Sequence, residues 1–84
     1  MSTAYLTEEE YLENCFLWAS INEELNSRYS PNPWRFHICF RPYPQEARFV
    51  VVFRNFEQTR ELTVDSSSKD GVHTFQCSER YIGP

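Results

Sequence analysis

The chain has 84 residues and a formal net charge of −4, and aromatic residues make up 17% of it. This length predicts a single domain over residues 1–84 that buries roughly 64% of its extended surface around one modest core. Two glycines leave little room for a glycine-rich phosphate loop, and no apolar run approaches the roughly 20 residues that span a bilayer.

The cysteines and the N-terminal residues bear on the cellular compartment. The three cysteines, at positions 15, 39 and 77, follow no recognisable spacing, which is typical of reduced thiols. The first residues lack the basic and apolar regions of a secretory signal. We therefore expect a cytoplasmic protein, in the cell that produces it or in a host cell.

A single helix is predicted over residues 8–28. Thr7 and Glu10 have the spacing of a capping box, and the glutamates of the first turn favour the positive end of the helix dipole. The prolines within 30–33 end the helix. At 100° per residue the apolar side chains share one broad face, which is typical of a helix packed on a sheet. They are Tyr11, Leu12, Cys15, Phe16, Trp18, Ala19, Leu25 and Tyr29.

The opposite helix face is acidic and is the second candidate for partner binding. Residues 1–33 contain six glutamates and one basic residue. Clustered carboxylates can occupy a basic groove meant for phosphates, although capping already explains those of the first turn. Leu17 projects among them, either as an ordinary exposed leucine or as an anchor for a partner. The candidate residues of this acidic helix face are Glu10, Glu13, Leu17, Glu23 and Glu24.

Four strands are predicted after the helix, at residues 34–41, 47–56, 59–65 and 72–79. Strict alternation of apolar and polar residues in the first two is the pattern of half-buried strands. Pairing these two antiparallel with Arg41 opposite Arg48 turns the large aromatic side chains towards the helix. These are Phe36, Phe40, Phe49 and Phe53. The third strand is placed with Leu62 opposite Val51, the fourth with Phe75 opposite Leu62, and residues 66–71 are interpreted as the turn between them. The predicted fold class is α+β, with the N-terminal helix packed on one face of a four-stranded antiparallel β-meander (an αββββ two-layer sandwich).

The other face of the predicted sheet has an apolar centre with arginines at its corners. Such composition is typical of protein interfaces, and an uncovered sheet face also favours a homodimer, which oxidation of Cys39 would cross-link. Carboxylates such as Asp65, placed beside Arg48, and Glu61 would neutralise the arginines. The candidate partner-binding residues of this face are Arg35, His37, Cys39, Arg41, Arg48, Val50, Val52 and Arg54.

Two residue sets that resemble chemical sites are predicted to lack the necessary geometry. His37 and Cys39 point outward in this register while His73 and Cys77 point towards the helix, so the four cannot converge on zinc. His37 and Cys39 also lie roughly 6.5–7 Å apart along one strand face, too far for a Cys–His nucleophile pair. We therefore expect no catalytic residue, no metal and no cofactor.

The leading functional prediction is a small non-enzymatic protein that binds another protein. Phages and mobile elements use compact chains of this type to inhibit host machinery, and anti-CRISPR proteins have this size and character, an argument that rests on character alone. The alternative is a homodimeric regulatory or nucleic-acid-binding module that uses the arginine-cornered sheet face. Direct binding of nucleic acid is disfavoured by the acidic net charge and by the lack of outward aromatics for base stacking.

Overall fold

The computed structural model describes residues 4–43 and 46–84, apart from the side chain of Ala4. Two helices lie on one face of a five-stranded antiparallel sheet whose strands follow one another in chain order. The elements are β1 (Ala4–Leu6), α1 (Glu8–Asn14), α2 (Trp18–Arg28), β2 (Arg35–Arg41), β3 (Arg48–Arg54), β4 (Arg60–Lys69) and β5 (Val72–Tyr81). The α+β class and the antiparallel meander are confirmed. Neither described helix has the length and apolar character needed to cross a membrane.

β1 is a fifth strand that the sequence prediction lacks. It pairs antiparallel with β2, with Leu6 opposite Cys39. Thr7 follows at once as the N-cap of α1, so β1 spans 3 residues and is too short to show an alternating pattern. The predicted capping box is confirmed, because Glu10 N–H donates to Thr7 Oγ1 at 3.2 Å and Thr7 N–H donates to Glu10 Oε1 at 3.1 Å.

The predicted single helix over residues 8–28 is wrong, because the chain leaves the helical conformation at Cys15, where φ is −94° and ψ is 99°. This break allows Cys15 and Leu17, which are 1% and 0% exposed, both to enter the core. In a continuous helix their side chains would point about 200° apart. Leu17, predicted among exposed glutamates, is therefore buried, whereas Phe16 is 62% exposed.

The core lies between the helices and the central strands. Tyr11 packs on Phe36 with ring centroids 5.1 Å apart, and burial raises the pKa of its phenol. Its buried hydroxyl finds no hydrogen-bond partner among the described residues. The remaining buried members of this core are Cys15, Leu17, Ile21, Leu25, Trp34, Cys39, Phe49, Val51, Phe53, Leu62 and Val64.

The predicted register between β2 and β3 is correct only at the start of β2. Phe36 lies opposite Phe53 as predicted, but the register then shifts at His37, so that Cys39 lies opposite Val51. Such a bulge sets an extra residue of one strand against its neighbour. From Ile38 onward the two faces of β2 are therefore exchanged relative to the prediction.

β4 and β5 are longer than predicted and are paired in a different register. β4 continues through Ser66, which is fully buried and donates its hydroxyl to the carbonyl oxygen of Phe49 at 3.0 Å. The predicted turn at residues 66–71 is thereby reduced to Asp70 and Gly71. Leu62, predicted opposite Val51, lies opposite Phe53. The serines were interpreted as turn residues, but a buried hydroxyl with an acceptor fits a strand equally well.

Gly71 is expected to be required for the β4–β5 hairpin. Asp70 and Gly71 have φ angles of 54° and 78°, the pair of positive values of a two-residue type I′ turn. A Cβ at Gly71 would meet nothing within 4 Å, so Gly71→Ala should cost only the left-handed conformation, about 1–2 kcal/mol. Urea denaturation measures this change. Gly83→Ala is the control, and an equal loss in both variants would contradict the assignment.

Candidate functional site

The sheet face opposite the helices, here called the outer face, is not covered by any other element among residues 4–43 and 46–84. Its middle is apolar, since Ile38 lies opposite Val52 and Phe40 lies opposite Val50. On β1, the Tyr5 ring meets the Phe40 ring edge-on with centroids 5.7 Å apart. These five residues are called the apolar centre. Tyr5 is 64% exposed, whereas the two valines are each 8% exposed between their neighbours.

Ion pairs border the apolar centre on the β4 side. Arg48 donates two hydrogen bonds to Asp65, from Nε to Oδ1 at 3.0 Å and from a terminal nitrogen to Oδ2 at 2.7 Å. Both side chains are about one-third exposed, at 36% and 32%. The predicted neighbourhood of Arg48 and Asp65 is thereby confirmed. This two-point contact fixes the guanidinium plane, so the positive charge of Arg48 is already matched within the chain.

A second charged group lies at the other end of the outer face, where Glu61 accepts from two arginines. Its Oε2 lies 3.2 Å from Arg54, and its Oε1 lies 2.9 Å from Arg80. The Glu61 side chain is 9% exposed. Burial by itself raises the pKa of this carboxyl, but the hydrogen bonds and charges of Arg80 and Arg54 outweigh it and hold the pKa below its usual range.

Replacing Glu61 with glutamine is expected to remove a pH-dependent part of the stability. The folded pKa lies below the unfolded value of about 4.3. The contribution is therefore fully present above that value and is lost as the pH falls through the folded pKa. We expect Glu61→Gln to cost on the order of 1–2 kcal/mol at pH 7 and progressively less as the pH falls through the folded pKa. Urea denaturation across this pH range measures it, and a cost independent of pH would contradict the assignment.

Two predicted outer-face residues, Cys39 and Arg41, lie on the helix side instead, because the bulge at His37 reverses the faces beyond it. Cys39 is 0% exposed within the core, so the expected disulfide between two copies through Cys39 is sterically excluded. The Arg41 guanidinium lies 5.0 Å from the centroid of the Phe49 ring. The prediction for Phe40 is wrong in the opposite sense, because Phe40 was predicted in the core and lies on the outer face.

A cavity of about 260 Å³ adjoins the outer face beside the β3–β4 turn. Its most exposed member is Phe56, at 84%. The side-chain oxygen of Asn55 shapes the turn by accepting from the backbone N–H groups of Thr59 and Arg60, each at 2.9 Å. The sequence prediction places Phe56 at the end of the strand over residues 47–56 and assigns it no role, although an aromatic among polar neighbours is a signal. The cavity is lined by Arg35, Phe36, His37, Arg54, Asn55, Phe56 and Gln58.

The predicted acidic helix face is interrupted by the break at Cys15. Its glutamates are divided between α1 and α2, and the break between these helices removes the common helical face. Leu17, its proposed anchor, is buried. Glu10 belongs to the capping box, and Glu24 lies 2.6 Å from Arg28 in an ion pair. Two of the predicted members thus have local partners, while Glu13 and Glu23 remain exposed.

The described residues form no cluster of metal ligands, and two of the three cysteines are buried. Among residues 4–43 and 46–84, no three His, Cys, Asp or Glu side chains lie close enough together to hold a metal ion. Burial raises the pKa of the Cys15 thiol to about 11 and that of Cys39 to about 12, which disfavours the reactive thiolate.

No protein family, no curated protein and no solved structure matches the chain. The fold, the outer face and the charges around it are therefore the features that bear on function.

Proposed function

We propose that the chain is a non-enzymatic protein that binds another protein through the outer face. The observation that supports this most is the apolar centre, which no described element covers and which ion pairs border on one side. Apolar cores with a polar rim are typical of protein interfaces, and Tyr, Phe and Arg are enriched there. The neighbouring cavity offers a recess for one anchoring side chain, and such anchors carry much of the binding energy in many complexes.

The pairing of the arginines favours a protein over nucleic acid. Arg48, Arg54 and Arg80 each hold a carboxylate of this chain. A phosphate would have to displace those carboxylates, which weakens the electrostatic contribution on which nucleic-acid binding depends. The rings of Tyr5 and Phe40 face outward, contrary to the sequence prediction. Aromatic rings for base stacking are therefore present, and their number does not favour a protein partner over nucleic acid. The homodimeric regulatory or nucleic-acid-binding module therefore remains the second proposal.

The partner is proposed to present an apolar cluster with an acidic group beside it. Arg35, at the corner of the outer face, donates to the backbone carbonyl oxygens of Asn32 and Trp34 at 3.4 and 3.3 Å. Within the described part of the chain it forms no ion pair, in contrast to the other arginines of this face. Its charge is therefore free to meet a carboxylate of the partner while the apolar centre covers the partner's apolar cluster.

A binding protein of this kind acts by occupying a surface that its partner needs for another task. Inhibition of host machinery by a phage or mobile-element protein is one such role, and it remains a prediction from size and character, as does the cytoplasmic location.

Photo-crosslinking tests the proposal in the cells that produce the chain. Tyr5→p-benzoylphenylalanine places the reactive group on the outer face, and the matched control, Leu12→p-benzoylphenylalanine, places it on α1 at a side chain that is 45% exposed. We expect a discrete protein adduct from position 5 and none from position 12. Adding Ile38→Glu to the position 5 variant should reduce the adduct at least tenfold.

The other outcomes contradict the proposal in different ways. Adducts from position 12 alone would direct attention to the helices, and adducts of position 5 with nucleic acid would support the second proposal. If position 5 formed an adduct only with a second copy of the chain, the outer face would bind a second copy in a face-to-face homodimer and not a different protein.

A further inference from the structure

β5 is a long free edge of the sheet. It spans Val72–Tyr81, 10 residues, and it pairs with β4 in an unbroken register. Among residues 4–43 and 46–84, no strand pairs with its other side. The opposite edge is β1, with only 3 residues. An unpaired strand edge presents a row of backbone donors and acceptors to any strand that can lie beside it.

The hydrogen bonds identify which backbone groups face outward. Ile82 N–H donates to the Thr59 carbonyl oxygen at 2.8 Å. Alternate residues of an antiparallel strand bond to the same neighbour, so the even-numbered residues of β5 bond to β4. A second hydrogen bond gives the same result: Ser68 N–H donates to the Ala47 carbonyl oxygen at 2.9 Å. The even-numbered residues of β4 therefore bond to β3, and its odd-numbered residues bond to β5. The outward groups of β5 therefore belong to His73, Phe75, Cys77, Glu79 and Tyr81.

This edge lacks most of the features that prevent the edge strand of a sheet from pairing with another strand. Natural sheets protect long edges with proline, bulges or inward charges. β5 contains no proline, its pairing with β4 has no register shift, and its central residues from Thr74 to Ser78 carry no charge. The side chains along it are exposed or half-buried, so a second strand can approach.

We propose that β5 pairs antiparallel with β5 of a second copy of this chain, joining two five-stranded sheets into one. The outward N–H and C=O groups of one copy must bond to the outward groups of the other copy, so odd-numbered residues of the two β5 strands lie opposite each other. Centring the two-fold axis on Gln76 pairs residues 72–80 of the two copies with one another and places His73 opposite Glu79 of the second copy, twice in the dimer. Moving the axis to Cys77 would instead place the carboxylate of Glu79 opposite the apolar ring of Phe75.

A donor–acceptor contact between the His73 imidazole and the Glu79 carboxylate, which also accepts from Tyr29 and pairs with Arg60 of its own copy, therefore selects the axis at Gln76. In this arrangement residues opposite each other share a face, so the outer faces of both copies lie on the same side of the joined sheet. The proposal does not depend on the proposed function, but it would give the dimer two copies of the apolar centre facing one way.

Engineered disulfides test the position of the axis. In a Cys77→Ser background, Gln76→Cys places two thiols opposite each other at a pair without mutual hydrogen bonds, where the Cα atoms lie about 4.5 Å apart, within disulfide range. The matched control is Thr74→Cys, whose counterpart in the second copy lies roughly 13 Å away along the strand. We expect mild oxidation to cross-link most of the first variant and at least tenfold less of the second.

Sedimentation equilibrium of the unmodified chain gives a second readout, and we expect it to show a dimer. Tyr5→Glu should leave this dimer intact, because Tyr5 lies on the opposite edge strand. A monomer at about 100 µM, equal cross-linking at positions 74 and 76, or a dimer that Tyr5→Glu dissociates would each overturn the proposal. The last result would indicate face-to-face association. The photo-crosslinking at Tyr5 is unaffected by failure of the edge pairing, so the two proposals fail separately.

Discussion

Replacing Leu17 with alanine is expected to lower the free energy of unfolding by about 2–5 kcal/mol, the usual cost of removing a large core side chain. Leu17 is 0% exposed and lies in the core cluster with Ile21 and Leu25. Its removal would leave a cavity within this core. Urea denaturation followed by circular dichroism measures the loss, because small single domains commonly unfold in one transition.

Phe16→Ala is the matched control, because it removes a larger side chain at the adjacent position. Phe16 is 62% exposed, and its ring centroid lies 6.5 Å from that of His73, so we expect a loss below about 1 kcal/mol. A continuous helix over residues 8–28 predicts the reverse order, with Phe16 in the core and Leu17 exposed. A larger loss from Phe16→Ala than from Leu17→Ala would therefore contradict the break at Cys15.

The start of α1 could be predicted because its signals are local. The hydroxyl of Thr7 and the carboxylate of Glu10 satisfy backbone groups only a few residues away, and no distant contact competes with them. The break at Cys15 has no such signal. Tertiary burial of Leu17 determines it, and helical periodicity alone assigned that residue to the acidic side.

The register of β2 could not be predicted because its strict alternation of polar and apolar residues predicts an unbroken strand, with Phe36, Ile38 and Phe40 all facing the helices. The bulge at His37 leaves no signal in that pattern. The bulge at His37 exchanges Cys39 and Phe40 between the faces. The pairing of Leu6 with Cys39 and of Tyr5 with Phe40 then gives both faces a further neighbour.

Most of the outer-face residues that sequence reasoning identified correctly come from β3, and Arg35 comes from the start of β2, before the bulge. Val50, Val52, Arg48 and Arg54 lie where alternation placed them, because β3 pairs with β4 without any shift. The residues that sequence reasoning missed come from short or irregular segments. Tyr5 belongs to a strand of 3 residues, and Phe56 belongs to a turn, where periodicity gives no information.

Thiol labelling is expected to separate the three cysteines by reactivity. With Ellman's reagent at pH 8, Cys77 should react at least about 100-fold faster than Cys15 and Cys39, and all three should react in denaturant. Cys15 and Cys39 are 1% and 0% exposed, whereas Cys77 is half-buried. Burial also raises the pKa of Cys77, an effect that the charge of Arg28 partly opposes, so it should react more slowly than a free thiol.

The pKa values make the expected difference large. Burial raises the pKa of Cys15 to about 11 and that of Cys39 to about 12. At pH 8, therefore, only a fraction on the order of 10⁻³ of Cys15 and 10⁻⁴ of Cys39 is present as the thiolate, which is the form that reacts. Closed packing slows both further, because reagent can reach them only when the fold opens. In Cys77→Ser, native labelling should therefore proceed at the rate of global opening and should accelerate with urea. Rapid labelling of that variant would place Cys39 on the outer face and would contradict the bulge at His37.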